Sequence, residues 1–174
     1  MEYAFNLTFK LSPQDADHDR IMGRLGEVGC TDALVGLGVA AHVGLEFIRA
    51  AESAEAAVLS ALDDVKKALP SARLVEAGPD FVGLTDVADL VGVSRQNMRK
   101  LMVNNSDAFP PPVHAGSPSI WHLAHVLQFM GERHYKFDKP MFDVALTAMQ
   151  VNIAKERAFV DAKVEEKVSR RIFA

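Results

Sequence analysis

The chain has 174 residues, which is room for one large domain or two small ones, and nearly half of them are apolar, enough for packed cores. A single cysteine, Cys30, excludes an intrachain disulfide, and no stretch is long and uncharged enough to span a membrane. The net charge of −4 argues against a DNA binder until its distribution is counted.

Residues 1–80 hold seven Lys and Arg against thirteen Asp and Glu, a balance of −6. Residues 81–135 hold four of each, and residues 136–174 hold eight against six. The acid is therefore gathered at the N-terminal side, away from a basic cluster at Arg95, Arg99 and Lys100.

Residues 1–78 read as a domain of their own. Tyr3, Phe5, Leu7, Phe9 and Leu11 alternate with other residues, the pattern of a strand with one buried face. The same start lacks the basic head of a signal peptide, so a cytoplasmic protein is expected. Ser12 and Pro13 are placed to open a helix with Ile21, Met22, Leu25 and Val28 as its apolar stripe and Gly29 as its end. Cys30, just past that exit, has the setting of a small buried packing residue rather than a nucleophile. Residues 33–37 are a short apolar run, and Val43, Leu45 and Phe47 alternate as a further strand. Ser53 caps a second helix with Val58, Leu59, Leu62, Val65 and Leu69 inward, and Pro70 stops it. On its surface Asp63 and Asp64 precede Lys66 and Lys67, a solvated face with local ion pairing. Residues 73–77 make a last strand, and Gly78-Pro79 a linker.

The order βαββαβ predicts a ferredoxin-like sandwich with both helices on one sheet face. Gly36, Gly38 and Ala41 loosely fit a dinucleotide fingerprint. The alternation at Val43, Leu45 and Phe47 favours a glycine turn between two strands. Such a fold fixes no function. A small-molecule or protein effector, a dimer contact and a docking role all remain open for it.

Residues 81–135 carry the most informative pattern. Thr85 is placed to cap a short helix with Val87, Ala88 and Leu90 on one face, and Gly92 supplies a tight turn. Ser94 caps a second helix in which Met98, Leu101 and Met102 recur at helical spacing. Its other face carries Arg95, Gln96, Asn97, Arg99 and Lys100. Arg pairs with guanine, and Gln or Asn with adenine, through two hydrogen bonds on a base edge. The plain alternative is a solvated face on a helical hairpin. Downstream, residues 109–114 (Phe-Pro-Pro-Pro-Val-His) read as a rigid first wing strand, residues 115–118 as a turn and residues 119–121 as the return strand. Leu123, Val126, Leu127 and Met130 then mark a helix.

In its order of recognition helix, Phe109, Pro110, Pro112, Val113, Gly116 and Trp121, the segment 81–134 resembles the winged helix-turn-helix of the MerR superfamily. The likeness is nearest to its small excisionase and AlpA-like prophage regulators. The resemblance implies DNA binding through Arg95, Gln96, Asn97 and Arg99 to bases, with Ser94 and Lys100 on phosphates and Thr85 at the edge of the same surface. The wing turn has no Lys or Arg. Its contacts fall to His114, the hydroxyls of Ser117 and Ser119, and backbone N–H groups.

Residues 139–173 have no internal glycine and no proline after Pro140, which suits a first helical turn. Phe142, Leu146, Met149, Ile153, Val160, Val164, Val168 and Ile172 recur at near-helical spacings, predicting one helix of roughly 45 Å. The resemblance implies that this helix pairs with its two-fold mate; packing back across the chain's own N-terminal domain is the alternative. His122, His125 and His134 lack a metal-ligand motif and read as solvent- or DNA-backbone-facing. No nucleophile triad is recognisable.

The fold class expected is thus α+β: a ferredoxin-like domain, a winged helix-turn-helix and a long C-terminal helix. The expected function is that of a sequence-specific transcriptional regulator and not an enzyme, with no cofactor or metal. It binds double-stranded DNA at inverted repeats as a homodimer. An excisionase-like DNA-bending factor and a ligand-sensing or protein-docking adaptor are the alternatives.

Overall fold

The computed structural model describes residues 1–13 and 17–173. It is a mixed α+β chain in which a four-stranded antiparallel sheet and a second, mainly helical module share one long helix.

Strand β1 (Glu2–Lys10) runs through the middle of the sheet, because each of its odd-numbered side chains is apolar and buried: Tyr3, Phe5, Leu7 and Phe9. It pairs antiparallel with β3 (His42–Ala50) on one side and β4 (Arg73–Gly78) on the other. The short β2 (Ala33–Gly36) closes the far edge, so the order is β2-β3-β1-β4. Helix α1 (His18–Glu27) and helix α2 (Ala54–Ala68) lay Ile21, Leu25, Val58 and Val65 on the face that carries Tyr3, Phe5, Leu7 and Phe9.

Several local expectations hold. Ser53 caps α2 by accepting the Ala56 N–H, Gly29 takes φ +83 after α1, and Cys30 is buried. Burial pushes the Cys30 thiol above its ordinary range. Residues 37–41 form a turn between β2 and β3, with no helix where a dinucleotide fingerprint needs one.

Other expectations are corrected. Helix α1 opens at His18, with Asp17 accepting the Arg20 N–H, and not at Ser12-Pro13. Residues 14–16 of that expected helix lie outside the described residues. Met22 and Leu59, read as inward, are exposed, each lying beyond the edge of its helix's apolar stripe. Asp64 makes the expected local pair, with Lys67 at 3.8 Å, but it is more than a surface acid. With Asp32 it brackets the Arg49 guanidinium, Nε to Asp32 at 2.7 Å and Nη1 to Asp64 at 3.0 Å, tying β3 to α2.

The second module begins with β5 (Phe81–Val82), followed by helices α3 (Leu84–Leu90) and α4 (Arg95–Asn104). Strand β6 (Trp121–His122) pairs antiparallel with β5 and leads directly into α5 (Leu123–Glu132). Val87, Ala88, Met98, Leu123, Val126, Leu127 and Met130 fill its core.

Helix α6 (Lys139–Glu156), opened by Pro140, joins the two modules. Val144 and Ala148 enter the first core, and Ala145 and Met149 enter the second. It also covers the edge of β4. Asn152, 1% exposed, accepts the Ala77 N–H and donates to the Ala77 carbonyl, and Lys155 donates to the Val75 carbonyl.

The expected single long helix is therefore broken. A 3-10 turn (Arg157–Phe159) ends α6, and Asp161 restarts the chain as α7 (Ala162–Ile172) by accepting the Lys163 and Val164 N–H groups. The longer half packs back on its own chain; α7 buries nothing.

Candidate nucleic-acid interface

The arrangement of α3, the turn after it and α4 comes from a few backbone choices. Gly83, and not Thr85, is the N-cap of α3, and the Asp86 carboxylate accepts the Gly83 N–H at 2.7 Å. Thr85 lies exposed within the first turn. Leu90, expected on the inner face, is 37% exposed, while Val87 and Ala88 are fully buried. The helix closes with Gly92 at φ +70 and the Val93 N–H on the Ala88 carbonyl, the glycine-terminated turn that reverses a helix. Ser94 then caps α4 by accepting the Asn97 N–H at 3.2 Å. Its hydroxyl hydrogen stays free to donate.

Met98 anchors α4 in the core, with Leu101 and Met102 half-buried beside it. This rotation turns Arg95, Gln96, Asn97, Arg99 and Lys100 outward, all exposed. None of these five side chains has a hydrogen-bond or ion-pair partner among the described residues. The fourth cation of the module, Arg133, is used internally. Its guanidinium lies 3.8 Å from the Phe129 ring centroid and faces the Asn105 side chain.

The segment expected to be a wing is a small hairpin at residues 113–120. The Val113 and His114 N–H groups both donate to the Ile120 carbonyl, and the Ile120 N–H returns to the His114 carbonyl. Phe109, Trp121 and Phe129 hold it to α5, with ring pairs at 6.0 and 5.0 Å, both edge-to-face. The Trp121 indole N–H donates to the Pro110 carbonyl at 3.0 Å.

At the tip, Ser119 spends its hydroxyl hydrogen on the Gly116 carbonyl, while Ser117 is exposed. The His114 ring folds over Gly116 so closely that a Cβ there would lie 2.1 Å from Nε2. Of the expected wing contacts, Ser117 stands open, Ser119 is half committed, and His114 lies across the turn.

The structure corrects the reading of His122. It is not solvent-facing: its side chain is 12% exposed, and its Nδ1 sits 2.7 Å from Asp80, whose side chain is fully buried. The other Asp80 oxygen accepts from Asn152 at 2.8 Å, and the Asp80 backbone carbonyl accepts the first amide of α5. Asp80 thus ties the linker, β6 and α6 together. No sequence pattern marks this network, because its members lie 42 and 72 residues apart. The nearest signal is an acid directly after Gly78-Pro79, where a plain linker needs none. His125 and His134 are exposed, as expected.

Compared with known proteins, the chain matches no family model, no curated protein and no solved structure. The MerR-type resemblance therefore stands on the motif residues themselves. Among the described residues, no helix is long and apolar enough to cross a membrane.

Proposed function

We propose that the chain is a sequence-specific DNA-binding regulator whose second module is a winged helix-turn-helix and whose first is a ferredoxin-like domain. In this reading α4 enters a major groove, and Arg95, Gln96 and Arg99 reach base edges. Ser94 and Lys100 hold phosphates, and the hairpin at residues 113–120 lies along the neighbouring backbone. Two copies bind an inverted repeat, each contributing few phosphate contacts.

The observation that carries the reading is the state of α4. Three cations and two amides stand on one exposed helix face without a partner among the described residues, in a module whose hairpin is held in place by Phe109, Trp121 and Phe129. A solvated helix face has no need of three uncompensated cations in a module whose net charge is zero. The ferredoxin-like assignment is supported by the β2-β3-β1-β4 order with antiparallel neighbours and both helices on one face.

The test is selection of bound sequences from a random duplex pool at near-physiological salt. An enriched inverted repeat is the expected result; weak, salt-sensitive binding without enrichment would remove the sequence-specific reading. A protein-docking or effector role has one observation in its favour. The open face of the sheet exposes Leu34 and Ile48 beside a shallow channel that runs on to Pro79 and Leu90.

A further inference from the structure

The solvent side of α4 divides into two flanks. Arg95 and Arg99 share one. Asn97, Lys100 and Asn104, spaced three and four apart, share the other. The second flank borders a groove of about 290 Å³ with Val93, Met98 and Leu101 along it and Tyr135 also lining it. The position of Tyr135 is set by the end of α5. His134 takes φ +61, its N–H donates to the Gly131 carbonyl, and the Tyr135 N–H returns to the Met130 carbonyl. That turn carries the chain away from the helix axis and leaves Tyr135 40% exposed, lining the groove.

The lining has a definite chemistry. Its apolar members are Val93, Met98 and Leu101. Its donors are the Asn97 and Asn104 amides, the Lys100 ammonium and the Tyr135 hydroxyl, none with a side-chain partner among the described residues. Asn105, which completes the lining, is already committed to the Leu101 carbonyl and Arg133. No carboxylate lines the groove. Donors around an apolar strip, with one cation and no acid, suit a ligand with an anionic head and a small apolar body. The volume sits at the lower limit of small-molecule pockets, which start at roughly 300 Å³.

We propose that this groove seats one sugar–phosphate unit of the DNA strand bordering the major groove that α4 reads. The sugar lies on Val93 and Leu101, and its phosphate oxygens accept from Lys100, Asn97, Asn104 and Tyr135. Asn97, assigned by sequence to base reading, becomes a backbone contact. Asn104 and Tyr135 join the interface, although no sequence motif singles them out. The proposal rests on the DNA-binding reading and adds a position on the duplex to it.

The experiment compares wild type with Asn104→Ala and Tyr135→Phe on a duplex from the selection and on a scrambled duplex, between about 50 and 200 mM salt. Both side chains are exposed enough for the variants to fold, which a melting curve checks. Each variant is expected to bind both duplexes about three- to tenfold more weakly, with the preference between them unchanged. Lys100→Gln is expected to lower the salt slope by about one. A neutral methylphosphonate at the contacted position should weaken wild type and have little further effect on the double variant Asn104→Ala/Tyr135→Phe.

Variants that bind like wild type, while wild type binds its selected site, would overturn the groove and leave the DNA reading intact. A loss confined to the selected duplex would make these residues base readers and also overturn it. Wild type that binds no duplex would fail the function reading itself and this proposal with it. Inorganic phosphate that shifts the Asn104 and Tyr135 amide resonances, with no shift from duplex, would reassign the groove to a free anion.

Discussion

Arg95 and Arg99 leave α4 one helical turn apart, exposed and unpaired among the described residues, so each can be removed without disturbing the core beneath them. Arg95→Ala or Arg99→Ala is expected to cost about 1–3 kcal/mol of binding to a selected site if the side chain reads a guanine. The melting temperature should stay at the wild-type value. Full affinity in both variants would move base reading off this flank. A different residue governs behaviour in acid. The Asp32 carboxyl is held below its ordinary value of 3.8, first by its hydrogen bonds from Arg49 and then by the charge of that guanidinium, against an opposing desolvation. As pH falls, the unfolded chain therefore takes up this proton before the folded one. The stabilisation is complete above the ordinary value and drains away as pH falls through the lower folded value. Urea melts from neutral pH down to about pH 2 should show wild type losing stability on that limb. Asp32→Asn should be weaker at neutral pH and flatter in acid. An equally steep acid limb in the variant would assign it to other carboxylates.

Among the elements, those with local signals were readable from the sequence. The alternation of Tyr3, Phe5, Leu7 and Phe9 specifies β1 because a strand puts every second side chain on one face. Ser53, Ser94 and Gly92 mark helix ends because each satisfies a backbone need on the spot. Gly92 gives the sharpest test. Alanine at φ +70 pushes its Cβ toward the following carbonyl, so Gly92→Ala should cost roughly 1–2 kcal/mol in a thermal melt. Space is not the obstacle, since nothing lies within 4 Å of a Cβ there. An unchanged midpoint would mean that the turn relaxes out of the left-handed region. Limits that turn on a choice between two nearby caps, or that lack a glycine or proline breaker, are not legible in the sequence. The start of α1 was assigned to Ser12-Pro13, but the capping carboxylate is Asp17. The gap between α6 and α7 contains neither glycine nor proline, so periodicity ran straight through it. Its one local signal is Asp161, an N-cap residue followed by acid in the first turn of α7 and base in the last. The candidate site was legible on α4 and in the aromatic frame of the hairpin at residues 113–120. It was not legible at Tyr135, which reaches the groove only through the turn that ends α5.

For the whole molecule, α6 decides what can be cut away. Removing the chain from Pro140 onward would strip Val144 and Ala148 from one core and Ala145 and Met149 from the other. It would also leave Asp80 and the outer edge of β4 without Asn152. Such a truncation tests folding, not assembly. A cut after residue 160 removes α7 alone, which buries no residue in its own chain. That helix is 11 residues long, short of the roughly 12–15 at which an isolated helix becomes even marginal in water. It nevertheless exposes Val164, Val168 and Ile172 in one row, with Phe173 just beyond its end. An exposed apolar row on a helix too short to stand alone is the surface a two-fold partner would cover, and the proposed inverted-repeat reading needs such a partner. The chain of residues 1–174 is therefore expected to sediment as a dimer, and residues 1–160 as a monomer with the melting temperature of the body preserved. The truncated chain should still bind a single half-site like the intact one while losing its advantage on the paired site. A 1–160 chain that remains dimeric would place the two-fold contact elsewhere, and the open sheet face bearing Leu34 and Ile48 would be the next surface to break.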